Sequence, residues 1–283
     1  MTDDAFPRTF EPDGADGSAP ATAPAHRPIE ISLPGQVGPY FDTGDEDPLP
    51  LGLFAAVHGR RVARAESAEW ARLGGDGGYE LCADSDGTVR AVLLDYDEDD
   101  RFVSSSLEIF AVALQELGEA LRVIVTTDQP QAASTAYAWL SERLREADPP
   151  AFAEPENWWP MVLDDIRTTA SVDNYAAFEY LDPTEGKRIV TQSGAVAVHP
   201  EERLWASLQA AGVEPEQVLR IHTDLEACFL PGHYCSMWMA QVFPDAEVTH
   251  SFPYGESADS RAEGIRRLLE VAEAEEAERA AGR

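Results

Sequence analysis

The chain has 283 residues, 44% of them hydrophobic, enough to bury a normal core and too apolar for a wholly disordered protein. A formal charge of −31 disfavours binding to duplex DNA or RNA and suits basic protein partners or small ligands, although acidity of this kind also serves solubility alone. Three cysteines, Cys82, Cys228 and Cys235, are too few and too scattered for a disulfide framework and point to a reducing, cytoplasmic setting. The acidic N-terminus lacks the order of a secretory signal, and no stretch approaches the roughly 20 apolar residues of a membrane span, so no membrane partner is expected.

Residues 1–30 are rich in Pro, Ala, Gly and Asp and are expected to be a disordered acidic tail, because they offer little burial to offset the entropy of ordering. Residues 31–147 read as a small α+β domain. Within it "LFAAVHG", "YELCAD" and "TVRAVLL" look like short strands of a meandering sheet, closed by a helix in which Leu107, Phe110, Ala111, Leu114 and Leu117 share a face. Ser104, Ser105 or Ser106 caps that helix. A second amphipathic helix, "ASTAYAWLSERLREA", follows. Residues 148–170 form a linker and interface helix, with Trp158 and Trp159 expected in the core or an interface rather than stacking on a ligand.

From residue 171 to 283 the elements alternate in the order β-β-α-β-α-β-α, which implies a sheet covered by helices with ligands near strand ends and adjoining helix starts. The first of these helices follows "VHPEER" and stops at Gly212; the last is capped by Ser257 or Ser260 and carries Ile265, Leu268, Leu269 and Val271 on its apolar part.

The candidate chemistry sits at two of those helix starts. His199 and Glu201 open one, and Cys228 and Cys235, in "EACFLPGHYCSMW", open the next. One imidazole and two thiolates make three ligands of a tetrahedral zinc site whose fourth position is left to water, and zinc lowers the pKa of that water to about 7. Glu201, close to the metal without binding it, would take a proton from the water and deliver it to a leaving amine. Taken singly, each residue has a plainer reading: His-Pro-Glu-Glu is a common helix start, and isolated cysteines are small buried apolar groups. His233 is an alternative metal ligand, on the same side of an extended segment as Cys235. His222, Phe252 and Tyr254 are candidates for a substrate pocket; Cys82 is assigned to the core.

His-Pro-Glu at 199–201 and the cysteines beyond "HTDLEAC" resemble the zinc-dependent nucleic acid/nucleotide deaminase superfamily, in particular the deaminase domains of bacterial polymorphic toxin systems, whose signature is H-x-E followed by P-C-x-x-C. "FPYG" at 252–255 fits the same pattern. Two features depart from it: Ala227 replaces the proline, and six residues rather than two separate the cysteines, with Pro231-Gly232 available to turn the chain back. "GQVGPYFD", "YELCADSDGTV" and "FVSSSLEIFAVAL" are similar to the SUKH superfamily of immunity proteins.

The resemblances imply a cytidine-deaminase-like α/β/α sandwich, preceded by a smaller α+β SUKH-like domain. They imply a zinc enzyme that hydrolyses the exocyclic amine of a cytosine- or adenine-type base, on a nucleotide or single-stranded nucleic acid. The rival is a non-catalytic immunity protein whose acidic N-terminal domain binds a basic toxin or other protein partner. A third reading is a zinc-stabilised domain without turnover, with His233 as fourth ligand.

Overall fold

The structure is a computed structural model that describes residues 5–10, 29–44, 49–255 and 257–281, and it is a mixed α/β protein. The chain divides into two compact units between Pro160 and Met161. The N-terminal unit, expected to be the smaller, is the longer.

In the first unit, strand β1 (Ala5–Phe10) pairs antiparallel with β2 (Ile29–Pro34). The rest of residues 1–28 lies outside the described residues. Strands β3 (Gln36–Val37), β4 (Phe41–Asp42), β5 (Ala71–Gly75), β6 (Glu80–Ala83), β7 (Val89–Val92) and β8 (Arg101–Ser104) form one antiparallel sheet in chain order. Between β4 and β5, the segment expected as a strand is helix α1 (Leu51–Val57). Its buried residues, Leu51 and Ala55, are four apart on one helical face. Gly74 lets β5 approach β4: a Cβ there would stand 2.5 Å from the Asp42 carbonyl oxygen and 2.8 Å from the Phe41 ring.

Helix α2 (Leu107–Thr126) starts at Ser106, whose hydroxyl accepts from the Ile109 N–H at 3.3 Å. The two preceding serines do something else. Ser104 Oγ, Ser105 N and Ser105 Oγ all donate to the buried carboxylate of Asp148, at 2.8, 2.7 and 2.6 Å. Asp148 follows helix α3 (Pro130–Ala147), so this carboxylate ties the end of α3 to the end of β8. Phe41, Phe110, Trp158 and Trp159 then form a chain of edge-on ring contacts through the core, and Trp158 Nε1 donates to buried Asp76 at 2.8 Å. Cys82 is fully buried among Leu51, Ala55 and Leu94.

The second unit begins within helix α4 (Trp158–Ser171), after its first turn. Hairpin β9 (Tyr175–Leu181) and β10 (Lys187–Ser193) leads to helix α5 (Pro200–Ala210), strand β11 (Val218–Leu225), helix α6 (Cys235–Val242), strand β12 (Glu247–Phe252) and helix α7 (Ala258–Ala281). This is the order read from the sequence. The sheet runs β10-β9-β11-β12, with β11 antiparallel to β9 and parallel to β12 across the α6 connection. Ala176, Phe178, Val218 and Ile221 pack with Leu204, Trp205 and Leu208 of α5 and Met239 of α6. Farther along β11, Leu225 packs with Cys228, Cys235, Tyr254 and Leu268. On α7 the buried positions are Arg261, Gly264 and Leu268, whereas Leu269 and Val271, expected on its apolar part, are exposed: the helix seats a narrow stripe. Among the described residues no helix is long and apolar enough to cross a membrane.

Candidate metal centre

Two helix starts and one helix interior converge in the second unit. The first start is prepared by a tight loop in which Ala195 and Val198 exchange backbone hydrogen bonds of 2.9 Å, with Ala197 in the left-handed region at φ 54°. The Ala197 N–H donates to Thr169 Oγ1 of α4 at 3.0 Å, which pins the loop. His199 follows in extended conformation, and Pro200 opens α5, where a missing N–H costs nothing.

The second start is the six-residue excursion between the cysteines. Gly232 (φ 86°) and Tyr234 (φ 43°) both take left-handed backbone, and the Leu230 carbonyl accepts from the N–H groups of His233 and Tyr234 at 3.2 and 3.1 Å. The chain thereby doubles back. The backbone N–H and hydroxyl of Ser236 donate to the Cys228 carbonyl at 3.1 and 3.0 Å, which brings Cys235 beside Cys228.

Nδ1 of His199 lies 3.4 Å from Sγ of Cys228 and 3.4 Å from Sγ of Cys235, and all three side chains are buried. Metal–sulfur and metal–nitrogen bonds of ordinary zinc length meeting at a tetrahedral angle put nitrogen and sulfur about 3.5 Å apart, so the donor set fits zinc. The orientation fits as well. His199 Nε2 is 2.7 Å from Asp165 Oδ1, and since an ionised carboxylate only accepts, Nε2 carries a proton and Nδ1 is the ring nitrogen that faces the sulfurs.

Charge in this cluster is set by burial and contact together. Burial opposes ionisation of Cys228, but the Cys235 S–H and the His199 ring outweigh it and hold the Cys228 thiol well below its ordinary pKa. Cys235 moves the other way: burial, then the neighbouring Cys228 sulfur, pushes it well above. Burial of His199 is likewise overcome by Cys228 and Asp165, which raise its pKa. Glu201, buried at the first turn of α5 with a carboxylate oxygen 3.9 Å from His199 Nδ1, is raised above the ordinary carboxylate range chiefly by burial.

His233 stands apart from the sulfurs in its bonding. Its Nδ1 meets Glu202 at 2.9 and 3.1 Å and its Nε2 meets Asp165 Oδ2 at 3.1 Å. Asp165, fully buried, is the residue that reading the sequence missed. The sign was there: along α4 it sits four residues after Met161 and one before Ile166, a charged residue inside the buried stripe.

Beside the donor set is a narrow cleft, lined among others by Glu201, Asn174, Thr223, Glu226 and Tyr254. Glu226 shapes it by accepting the N–H groups of Tyr254 and Gly255 at 3.1 and 2.8 Å. The buried hydroxyl of Thr223 has no hydrogen-bond partner among the described residues. His222 and Phe252 do not line this cleft. His222 alternates with Thr223 along β11, and its ring bonds to Thr249 and Ser251 at 2.9 and 3.1 Å; Phe252 lies under the Arg267 guanidinium.

The chain is thus an antiparallel α+β unit followed by a mixed-sheet α/β unit with H-x-E and two cysteines at adjacent helix starts, and each unit matches a known family. Residues 18–165, just over half of the chain, match the family of SUKH-4 immunity proteins, and the chain belongs to that family. Residues 171–271 match the family described as Xanthomonas-like deaminase. No curated protein and no solved structure matches the chain.

Proposed function

We propose that the C-terminal domain is a zinc-dependent deaminase acting on the exocyclic amine of a cytosine- or adenine-type base, in a nucleotide or single-stranded nucleic acid. The observation that carries this reading is the equal 3.4 Å spacing of His199 Nδ1 from both cysteine sulfurs, next to a cleft that Glu201 lines. His199, Cys228 and Cys235 would hold the metal, which when bound would supply the Lewis acidity that lets water ionise near neutral pH. Glu201 takes a proton from the attacking water and delivers it to the departing amine, so the base gains an oxygen and ammonia leaves. The raised pKa of Glu201 suits a group that must hold that proton between the two events. Tyr254 bounds the substrate space.

The N-terminal domain is the binding half of the protein. Membership in an immunity family and a net charge of −31 support a basic toxin as its partner, and three buried free thiols support a reducing, cytoplasmic setting. The same membership favours the second reading, in which the chain neutralises a toxin and the deaminase-like domain does not turn over.

Elemental analysis of the purified full chain, wild type beside Cys228→Ser, separates the two when paired with ammonia release from cytidine, adenosine and single-stranded oligonucleotides. One zinc per chain, lost in the variant, with ammonia released by the wild type, is the expected result. No zinc in either protein under metal-replete expression rejects the hydrolytic reading.

A further inference from the structure

The zinc reading uses both cysteines but leaves the six residues between them, and His233 among them, without a task. Their geometry supplies one. The His233 ring, almost completely buried, stacks on the His199 ring at 4.0 Å between centroids and 11° between planes. Its Nε2 meets one oxygen of Asp165 at 3.1 Å while the other oxygen of Asp165 takes the His199 Nε2–H at 2.7 Å. Its Nδ1 meets Glu202, and Glu202 in turn accepts the His199 backbone N–H at 3.0 Å. The contacts close on themselves: His199 ring, Asp165, His233, Glu202 and back to the His199 backbone.

We infer that this closed ring is a positioning device, in which Asp165 and His233 lock the tautomer and the orientation of the His199 imidazole so that Nδ1 is presented to the metal. The inference rests on the zinc reading and assigns residues that the reading does not require. A ligand imidazole can err in two ways: it can rotate about its bond to Cβ, or it can carry its proton on the nitrogen that should bind. Asp165 opposes both errors, because rotation or the wrong tautomer removes a charge-assisted hydrogen bond from a fully buried carboxylate. His233 opposes movement of Asp165 by holding its second oxygen, and its stacked face blocks one side of the His199 ring. The length of the excursion then has a physical reason. Two residues between the cysteines span one helical turn and carry no side chain back over His199; six residues, turning at Gly232 and Tyr234, do.

The test uses the full chain as wild type, Asp165→Asn, His233→Phe and Glu202→Gln. Folding is checked by circular dichroism and melting, zinc affinity by competition with a chromophoric chelator, and ligand geometry by the visible spectrum of the cobalt(II)-loaded protein. Asp165→Asn keeps the shape but no longer requires a proton on Nε2, and its zinc affinity should fall about 10–100-fold with displaced cobalt bands. His233→Phe keeps a stacked ring and removes both nitrogen contacts; it should shift the bands in the same direction with a smaller loss of affinity. Folded variants with wild-type affinity and spectrum overturn the positioning role while leaving the zinc site standing. Should Asp165→Asn fail to fold, Glu202→Gln decides, since Glu202 is only partly buried: a loss of affinity supports the ring, and an unchanged affinity and spectrum overturns it. A wild type that takes up no zinc rejects the metal reading itself, a result distinct from wild-type uptake with indifferent variants.

Discussion

Glu201 reaches to 3.9 Å from the His199 nitrogen that faces the two sulfurs, close enough to touch a water at the centre and too far to hold the same proton directly. On the proposed function, a carboxyl in that position would transfer protons, which the metal ligands could not. Glu201→Gln keeps the volume and removes the base, so ammonia release should fall about 10²–10⁴-fold while bound zinc stays at the wild-type level. Activity and zinc content measured on the same preparation decide it. Zinc retained with undiminished activity rules out the shuttle.

The seat of α7 makes a prediction about stability rather than chemistry. Gly264 passes so near the turn after β12 that a Cβ there would clash with the Pro253 carbonyl oxygen. Backbone cannot yield as a side-chain tip can, so Gly264→Ala must push α7 outward and disturb its contacts with Leu225 and Tyr254. We expect a loss of about 3 kcal/mol, at the upper end of what overpacking costs, read from urea unfolding. Wild-type stability of the alanine variant would show that the close approach is not maintained in solution.

In the first unit the Trp158 indole N–H bonds to Asp76, which is fully buried and also accepts from the Gly78 and Tyr79 N–H groups. Trp158→Phe retains the ring contact with Phe110 and removes one donor from a buried carboxylate, at a cost of about 1–3 kcal/mol. The urea midpoint of the N-terminal unit should drop with its slope unchanged. An unmoved midpoint would mean that another donor takes over.

Element order in the second unit was legible because each strand and helix there has a sharp stop: Gly212 with φ 81° ends α5, and Pro231-Gly232 separates β11 from α6. The ligand candidates were legible for the same reason, since they sit beside those stops. Helix α1 was not, because "LFAAV" is apolar throughout and seven residues are too short for a period to separate helix from strand. Asp165 was hidden differently. An aspartate pair on an amphipathic helix reads as a solvated face, and only the pattern of buried neighbours on both sides of Asp165 turns it inward. Whether Ser104, Ser105 or Ser106 caps α2 also depended on a distant residue, because Asp148 takes the first two and leaves Ser106 free to cap. Leu269 and Val271 have the composition of a buried stripe, but α7 needs only one narrow seat and leaves them in solvent.

The Thr223 hydroxyl offers the most direct probe of what the cleft binds. A buried hydroxyl without a partner is normally a cost to the fold, of about 1–3 kcal/mol, and such groups persist where something else uses them. Thr223 lines the cleft together with Glu201 and Asn174, so on the proposed function a polar edge of the base would be its partner. Thr223→Val replaces the hydroxyl with a methyl of nearly the same shape. The free protein should lose nothing in thermal stability, because no internal hydrogen bond is broken, and should gain up to about 1 kcal/mol from relief of the unpaired group. With substrate the sign reverses: kcat/KM should fall about tenfold, the worth of one neutral hydrogen bond, with the zinc content unchanged. A valine variant that is less stable when free would show that the hydroxyl serves the fold, and one that is equally active would exclude Thr223 from contact with the base.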